Sequence, residues 1–189
     1  MPMALKNPPI LAEDFESFLE LDENQDRMFE LINGEIYEKM SSLMPSYFNV
    51  QIISSLNMFV NEHDLGFVTG PDGGYKVGHS RIVPDVAFLS KARQARLLEK
   101  GFNPILPDFI VEMVSPSDMQ QQARVTEKIE LYRQAQIPLF WYVYPSRLEV
   151  DVYEDGELIR TAKVGDILDG GKVLVGWTIA VKDIFRIRE

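Results

Sequence analysis

Two carboxylates stand inside stretches that are otherwise apolar. Asp85 lies in Val83-Pro84-Asp85-Val86-Ala87-Phe88-Leu89, and Glu112 lies in Phe109-Ile110-Val111-Glu112-Met113-Val114. A lone carboxylate in a buried strand is costly unless it is paired, hydrogen-bonded or metal-bound, and two in neighbouring strands also repel. A hard divalent cation relieves both costs, because carboxylate oxygens are its natural ligands. Glu30, in Met28-Phe29-Glu30-Leu31-Ile32, is a third candidate. The chain has no cysteine and two histidines, His63 and His79, which fall in loop-like surroundings. Thiolate sites and a His-rich centre are therefore excluded, and a bound metal must rely mainly on oxygen, as magnesium, manganese or calcium do. Each acid also has a plain alternative. Asp85 follows a proline at a strand start and could face solvent, while Glu30 could point outward from a hairpin. Lys128, four residues before Tyr132, borders Ile129 on a helical period; the alternative is a solvated lysine paired with Glu127 or Glu130.

The elements that must position these groups are readable from period and punctuation. The spacing predicts an amphipathic helix over 11–21 and a hairpin over 28–40 that turns at Asn33-Gly34, the pair a type I′ turn prefers. A helix is expected over 45–60, a strand end and a Gly-rich, turn-rich loop over 66–75, a strand over 84–89 and a helix over 91–100. The nearly continuous apolar run at 108–114 suits a strand covered on both faces. Ser115-Pro116-Ser117-Asp118 can cap a helix running to about Ala135, and 139–144 is a second covered strand. Strand, helix, strand implies a right-handed crossover between parallel strands. Residues 148–163 form a second hairpin around Asp155-Gly156, and the tail at 165–189 is expected to close the sheet edge. The fold class is α/β (α+β), with a mixed sheet flanked by helices and added hairpins. One domain over 1–189 is expected, with 1–12 a peripheral arm and 148–189 a β-rich extension.

Composition sets the outer limits. The chain has 189 residues, 46% hydrophobic and 25% charged, the balance of an ordinary globular protein. No apolar run is long enough to cross a membrane and no secretory signal is visible, so a cytoplasmic protein is expected. The net charge of −10 works against a broad nucleic-acid footprint. Lys91, Arg93, Arg96 and Lys100 are the densest basic stretch, either a solvated face or a phosphate-contacting edge. Val150, Val152, Tyr153, Leu158 and Ile159 offer apolar surface for a homodimer or higher homo-oligomer.

Five segments in order resemble one known family. They are Phe29-Glu30-Leu31-Ile32-Asn33-Gly34-Glu35, then Val83 to Phe88, then Pro107 to Asp118, then Lys128 with Tyr132, then Trp141-Tyr142-Val143-Tyr144-Pro145. Their order and spacing, from about Glu13 to Phe185, resemble the Uma-two family (domain of unknown function 820) within the PD-(D/E)XK nuclease superfamily. The resemblance implies a restriction-endonuclease-like core that hydrolyses DNA phosphodiesters with Mg²⁺, or with Mn²⁺ in its place. Asp85 and Glu112 would match the metal-binding Asp and Glu, and Glu30 the acid of the first core element. Position 114 is Val where Glu-x-Lys would place the lysine, which nominates Lys128 on the following helix. Glu35, from the family's Gly-Glu signature, is a second-rank candidate. Gln122 or Tyr132 would be the polar neighbour if the segment at 120–122 shifts that helix. The alternatives are an inactive nuclease-like interaction or accessory module, and a hydrolase of another phosphate-containing substrate.

Overall fold

Among the described residues there are three sheets and four α-helices. The computed structural model describes residues 8–40, 42–114 and 122–186. The helices are α1 (Ala12–Leu19), α2 (Leu43–Glu62), α3 (Gln122–Gln134) and α4 (Val181–Ile184). A four-stranded antiparallel sheet has the order β2-β1-β5-β4, from β1 (Phe29–Ile32), β2 (Glu35–Glu38), β4 (Tyr75–Val77) and β5 (Ser80–Ile82). A six-stranded mixed sheet has the order β10-β9-β8-β7-β6-β3. Its strands are β3 (Gly66–Thr69), β6 (Val86–Ser90), β7 (Phe109–Met113), β8 (Leu139–Tyr144), β9 (Glu149–Glu154) and β10 (Glu157–Lys163). The third sheet is the ribbon β11 (Ile167–Gly170) with β12 (Leu174–Ala180).

Local sequence accounts for most of this. Asn33 and Gly34 have φ of 49° and 84°, and Asp155 and Gly156 have 48° and 83°, so both hairpins turn through two positive-φ residues. The register follows: Glu30 stands opposite Tyr37, and Ile32 opposite Glu35. β7 and β8 are the parallel pair, joined through α3 as the strand–helix–strand pattern requires. They are the most central strands, and every residue of both is buried, which explains their continuous apolar runs. Odd-numbered residues of β7 and β8 (Phe109, Val111, Leu139, Trp141) join the core under α2, and even-numbered ones (Ile110, Phe140, Tyr142) join the core under α3.

Three expectations are corrected. Residues 91–100 form turns, not a helix. Leu97 and Leu98 there are exposed, so a helix would have no face to bury, and ten residues seldom hold one on propensity alone. The tail does not close the sheet edge: β11 and β12 pair with each other and lay Leu168, Leu174, Trp177 and Ile179 onto the α2-side core. Val150 and Val152 are not dimer surface, since both are buried in that same core, while Leu158 and Ile159 remain exposed. The hairpin β4–β5 around Gly78 was not anticipated. It ends the strand region before Asp85, so β6 begins at Val86 and Asp85 lies in the passage between the two large sheets. The expected cap at 115–118 lies outside the described residues.

Trp177 measures how far the tail belongs to this core. Its ring stacks on Trp141 with centroids 5.4 Å apart and planes at 15°, and its Nε1 donates to Ser55 Oγ at 3.1 Å. Trp177→Ala should lower the unfolding free energy by about 3–5 kcal/mol in urea titration. A loss below about 1 kcal/mol would mean that the ribbon is peripheral to the core.

Candidate functional site

Glu30, Asp85 and Glu112 are delivered from separate segments to the joint between the two large sheets. Glu30 sits mid-strand on β1 and is fully buried. Its Oε1 accepts the Val83 backbone N–H at 2.8 Å, which ties β1 to the chain entering β6. Two residues on, Asp85 accepts the Met113 backbone N–H at 2.7 Å through Oδ2 and so ties the same passage to the end of β7. Glu112 projects from β7 on the α3 side.

One face of α3 answers these acids. Arg124, Lys128 and Tyr132 are four residues apart, so they line a single stripe of the helix. Arg124 Nη2 donates to Glu30 Oε2 at 3.0 Å. Lys128 Nζ reaches Glu30 Oε1 at 2.9 Å, Glu30 Oε2 at 3.1 Å and Glu112 Oε1 at 2.7 Å. The Tyr132 hydroxyl donates to Glu112 Oε1. The helix is in place, so Tyr132 supports Glu112 alongside Lys128 and does not replace it. Gln122 opens α3, and its side chain lies outside the described residues.

A second lysine completes the set. Lys39 Nζ donates to Asp85 Oδ1 at 2.8 Å and to the Val83 carbonyl at 2.6 Å. Sequence reading missed Lys39 and Arg124. A signal for Lys39 was present. A two-residue turn at 33–34 sets Tyr37 opposite Glu30, and two residues further on the same strand face comes Lys39. Glu35 does not join the cluster; it is exposed and accepts the Tyr37 hydroxyl at 2.8 Å. His63 and His79 are exposed and away from it. Lys91 and Arg93 pair with Asp64 and Asp108, so half of the densest basic stretch is already committed.

Among the described residues three acids thus meet three cations, a formal balance of charge. Burial pushes the Glu30 carboxyl up, but the Lys128 and Lys39 charges and the Val83 N–H outweigh it and hold it at about 2. At Glu112 burial wins: its carboxyl is raised, with Asp85 and Glu30 adding to the rise against Lys128 and Lys39. Burial lowers the Lys39 ammonium, yet Asp85, Glu30 and Glu112 together raise it. That balance changes the expected metal centre. Among the described residues no three Asp, Glu or His side chains are grouped to hold one ion. Glu30 is fully buried and is not part of the cavity wall that Asp85 and Glu112 share. Glu30 therefore does not fit as a metal ligand. Asp85 and Glu112 fit better, because both line a cavity and Glu112 Oε2 accepts no hydrogen bond from the described residues.

That cavity has a volume of about 410 Å³. Lys39, Asp85, Glu112 and Lys128 line it, together with apolar walls from Met28, Met40, Val50, Ile53, Val114 and Val125. Polar oxygens and ammonium groups concentrated in an apolar recess can bind a phosphate ester and polarise it.

Residues 15–182 match a family profile described as "Putative restriction endonuclease". A crystal structure titled as a putative nuclease belonging to DUF820, from Anabaena variabilis, superposes with a TM-score of 0.77 at 22% identity. The match covers 94% of this chain and 98% of that one, and it establishes a shared fold. No curated protein matches the chain.

Glu30 supplies a pH signature for the cluster. Its carboxyl is held at about 2 against an ordinary value of 4.5, so folding gains from its ionisation. That gain, about 3 kcal/mol, is present above pH 4.5 and is lost as pH falls through 4.5 toward 2. Glu30→Gln should lower stability by about 3 kcal/mol at pH 7, and the gap from the parent should narrow to about half of that in urea titrations at pH 3. A gap that stays constant with pH would show that Glu30 is not held ionised by its partners.

Proposed function

The chain belongs to the Uma2 family of restriction-endonuclease-like proteins, and on that premise we propose that it is a divalent-metal-dependent endonuclease acting on DNA at the cavity lined by Asp85, Glu112, Lys128 and Lys39. The observation that carries this reading is the convergence of those four side chains, from four separate segments, on one recess. The whole chain is taken as one nuclease-like domain, working in the cytoplasm, where DNA is its substrate.

Asp85 and Glu112 would hold Mg²⁺ or Mn²⁺, which supplies an acidified water and a counter-charge for the pentavalent phosphorus. The protein's own groups do the rest. Met113 N–H and Lys39 fix the two Asp85 oxygens. Tyr132 fixes Glu112 Oε1, and among the described residues Oε2 accepts no hydrogen bond. Lys128 presents a cation to a non-bridging phosphate oxygen while staying anchored on Glu30. Burial and the neighbouring acids raise Glu112, so its carboxylate gains most from a nearby positive charge. A homodimer is proposed with this reading, through the exposed Leu158 and Ile159, and light scattering measures it.

The balanced cluster favours one second reading. Among the described residues Lys39, Arg124 and Lys128 give the three acids counter-charges without a metal, and an inert nuclease-like module is compatible with the same residues. Assays on single-stranded, double-stranded and branched DNA separate the two. Cleavage should appear with Mg²⁺ or Mn²⁺ and fall by about 100-fold or more in Asp85→Ala, Glu112→Ala and Lys128→Ala. Millimolar Mg²⁺ should raise the melting temperature of the parent and not of Asp85→Ala. No metal-dependent cleavage and no thermal shift would establish the inert module.

A further inference from the structure

Asp85 and Glu112 would meet a metal on different terms. Glu112 Oε1 is engaged by Lys128 and Tyr132, while Oε2 accepts no hydrogen bond from the described residues. A metal can reach Glu112 through Oε2 with Lys128 in place, and Lys128 keeps two further contacts on Glu30, at 2.9 and 3.1 Å. Asp85 has no such open oxygen. Its Oδ2 accepts the Met113 N–H at 2.7 Å, and its Oδ1 accepts Lys39 Nζ at 2.8 Å. The Met113 N–H is fixed backbone at the end of β7. Lys39 Nζ ends a long flexible stem, so Oδ1 is the oxygen whose partner can move.

That partner is firmly seated. Lys39 Nζ also donates to the Val83 carbonyl at 2.6 Å, and the side chain is only 16% exposed. A divalent ion sits about 2.1 Å from a carboxylate oxygen, so on Oδ1 it would stand a few Å from an ammonium on the same atom. Where little water intervenes, such like charges repel strongly. Lys39 and a metal are therefore alternatives at Asp85 Oδ1. The ammonium has somewhere to go, because Lys39 lines the same cavity as Asp85 and Glu112.

We propose that Lys39 is a resident cation at Asp85, which holds the carboxylate in the metal-free protein and is displaced from Oδ1 into the cavity when a metal binds. Asp85 stays aimed through the exchange, because the Met113 N–H still holds Oδ2. Lys39 is then a positioning residue that sets how much metal the site needs, and its loss strengthens metal binding. A lysine that only supports Asp85 gives the opposite sign, since its loss would free the carboxylate and weaken binding. The inference rests on the nuclease reading for the presence of a metal at Asp85 and Glu112.

Mn²⁺ alone is the probe, titrated calorimetrically into the full chain. Lys39→Met and Lys39→Gln should each bind it at least about tenfold more tightly than the parent. Lys39→Arg restores a cation and should bind it as weakly as the parent. The gain should vanish in the double variant Lys39→Met/Asp85→Ala, which separates it from the general effect of one positive charge fewer. A measurement on the parent does not depend on how the variants fold. In lysine-selective ¹⁵N NMR, saturating Mg²⁺ should shift or remove the Lys39 ammonium signal, assigned by its absence from a Lys39 variant. Unchanged or weaker affinity in Lys39→Met and Lys39→Gln, a gain that survives Asp85→Ala, or a Lys39 signal that Mg²⁺ leaves in place overturns the proposal. No metal binding by the parent or either variant overturns it together with the metal-dependent reading. The two also fail separately. A chain that cuts DNA with Mg²⁺ but gains no affinity in Lys39→Met keeps the nuclease and loses the exchange. A chain whose metal binding is limited by Lys39 but which cuts no DNA keeps the exchange and loses the nuclease.

Discussion

The Lys128 ammonium, in contact with Glu30 and Glu112 at once, is the constraint on which the site depends. Glu30 belongs to the four-stranded sheet, Glu112 to the six-stranded sheet and Lys128 to the helix of the parallel crossover. One cation therefore fixes three elements against each other in a place with little water. Removing any member would strand a buried charge, which costs far more than an exposed pair returns. Lys39 repeats the arrangement on the other side of the passage between the sheets, joining the end of the first hairpin to Asp85. Joint and site are thus the same structure, and the groups able to do chemistry are also those that align the sheets.

The two glutamates show what this environment does to like groups. Both are buried and both touch Lys128. At Glu30 the Lys128 and Lys39 charges and the Val83 N–H outweigh burial and hold the carboxyl low; at Glu112 burial, joined by Asp85 and Glu30, wins and the carboxyl is raised. One is a fixed anion that anchors lysine, and the other responds to a change in nearby charge. Environments that push the pKa values of neighbouring acids apart commonly assign them separate roles.

Much of this was legible in the residues, for physical reasons that also set the limit. A carboxylate inside a covered strand breaks a pattern, so Glu112, Asp85 and Glu30 stood out. Asn-Gly and Asp-Gly carry their own backbone geometry, so both hairpins could be placed. The counter-charges could not be seen in the same way. Lys39 is 46 residues from Asp85 and Lys128 is 98 from Glu30, and only the tertiary fold brings them together. An ion was expected among all three acids because the hairpin register that carries Lys39 past Glu30, and the resemblance that nominates Lys128, do not show that the lysines stand against the acids. Residues 91–100 fail for a related reason: their helix-compatible composition has no partner surface in the fold.

The placement of Lys128 on a helix has a geometric consequence. A lysine at position 114 would share a strand face with Glu112, because alternate residues of a strand point the same way. Val114 occupies that position and is buried with Val125 and Tyr132 in the α3-side core. From a strand, a lysine would lie beside Glu112 and leave Glu30 to Arg124. From α3, it comes in across the end of β7, contacts Glu30 and Glu112 together, and needs a helix held in register by Val125 and Tyr132. The accuracy of the site therefore depends on how α3 packs against β7 and β8, and a repacking at Val125 reaches the acids through Lys128 without touching them.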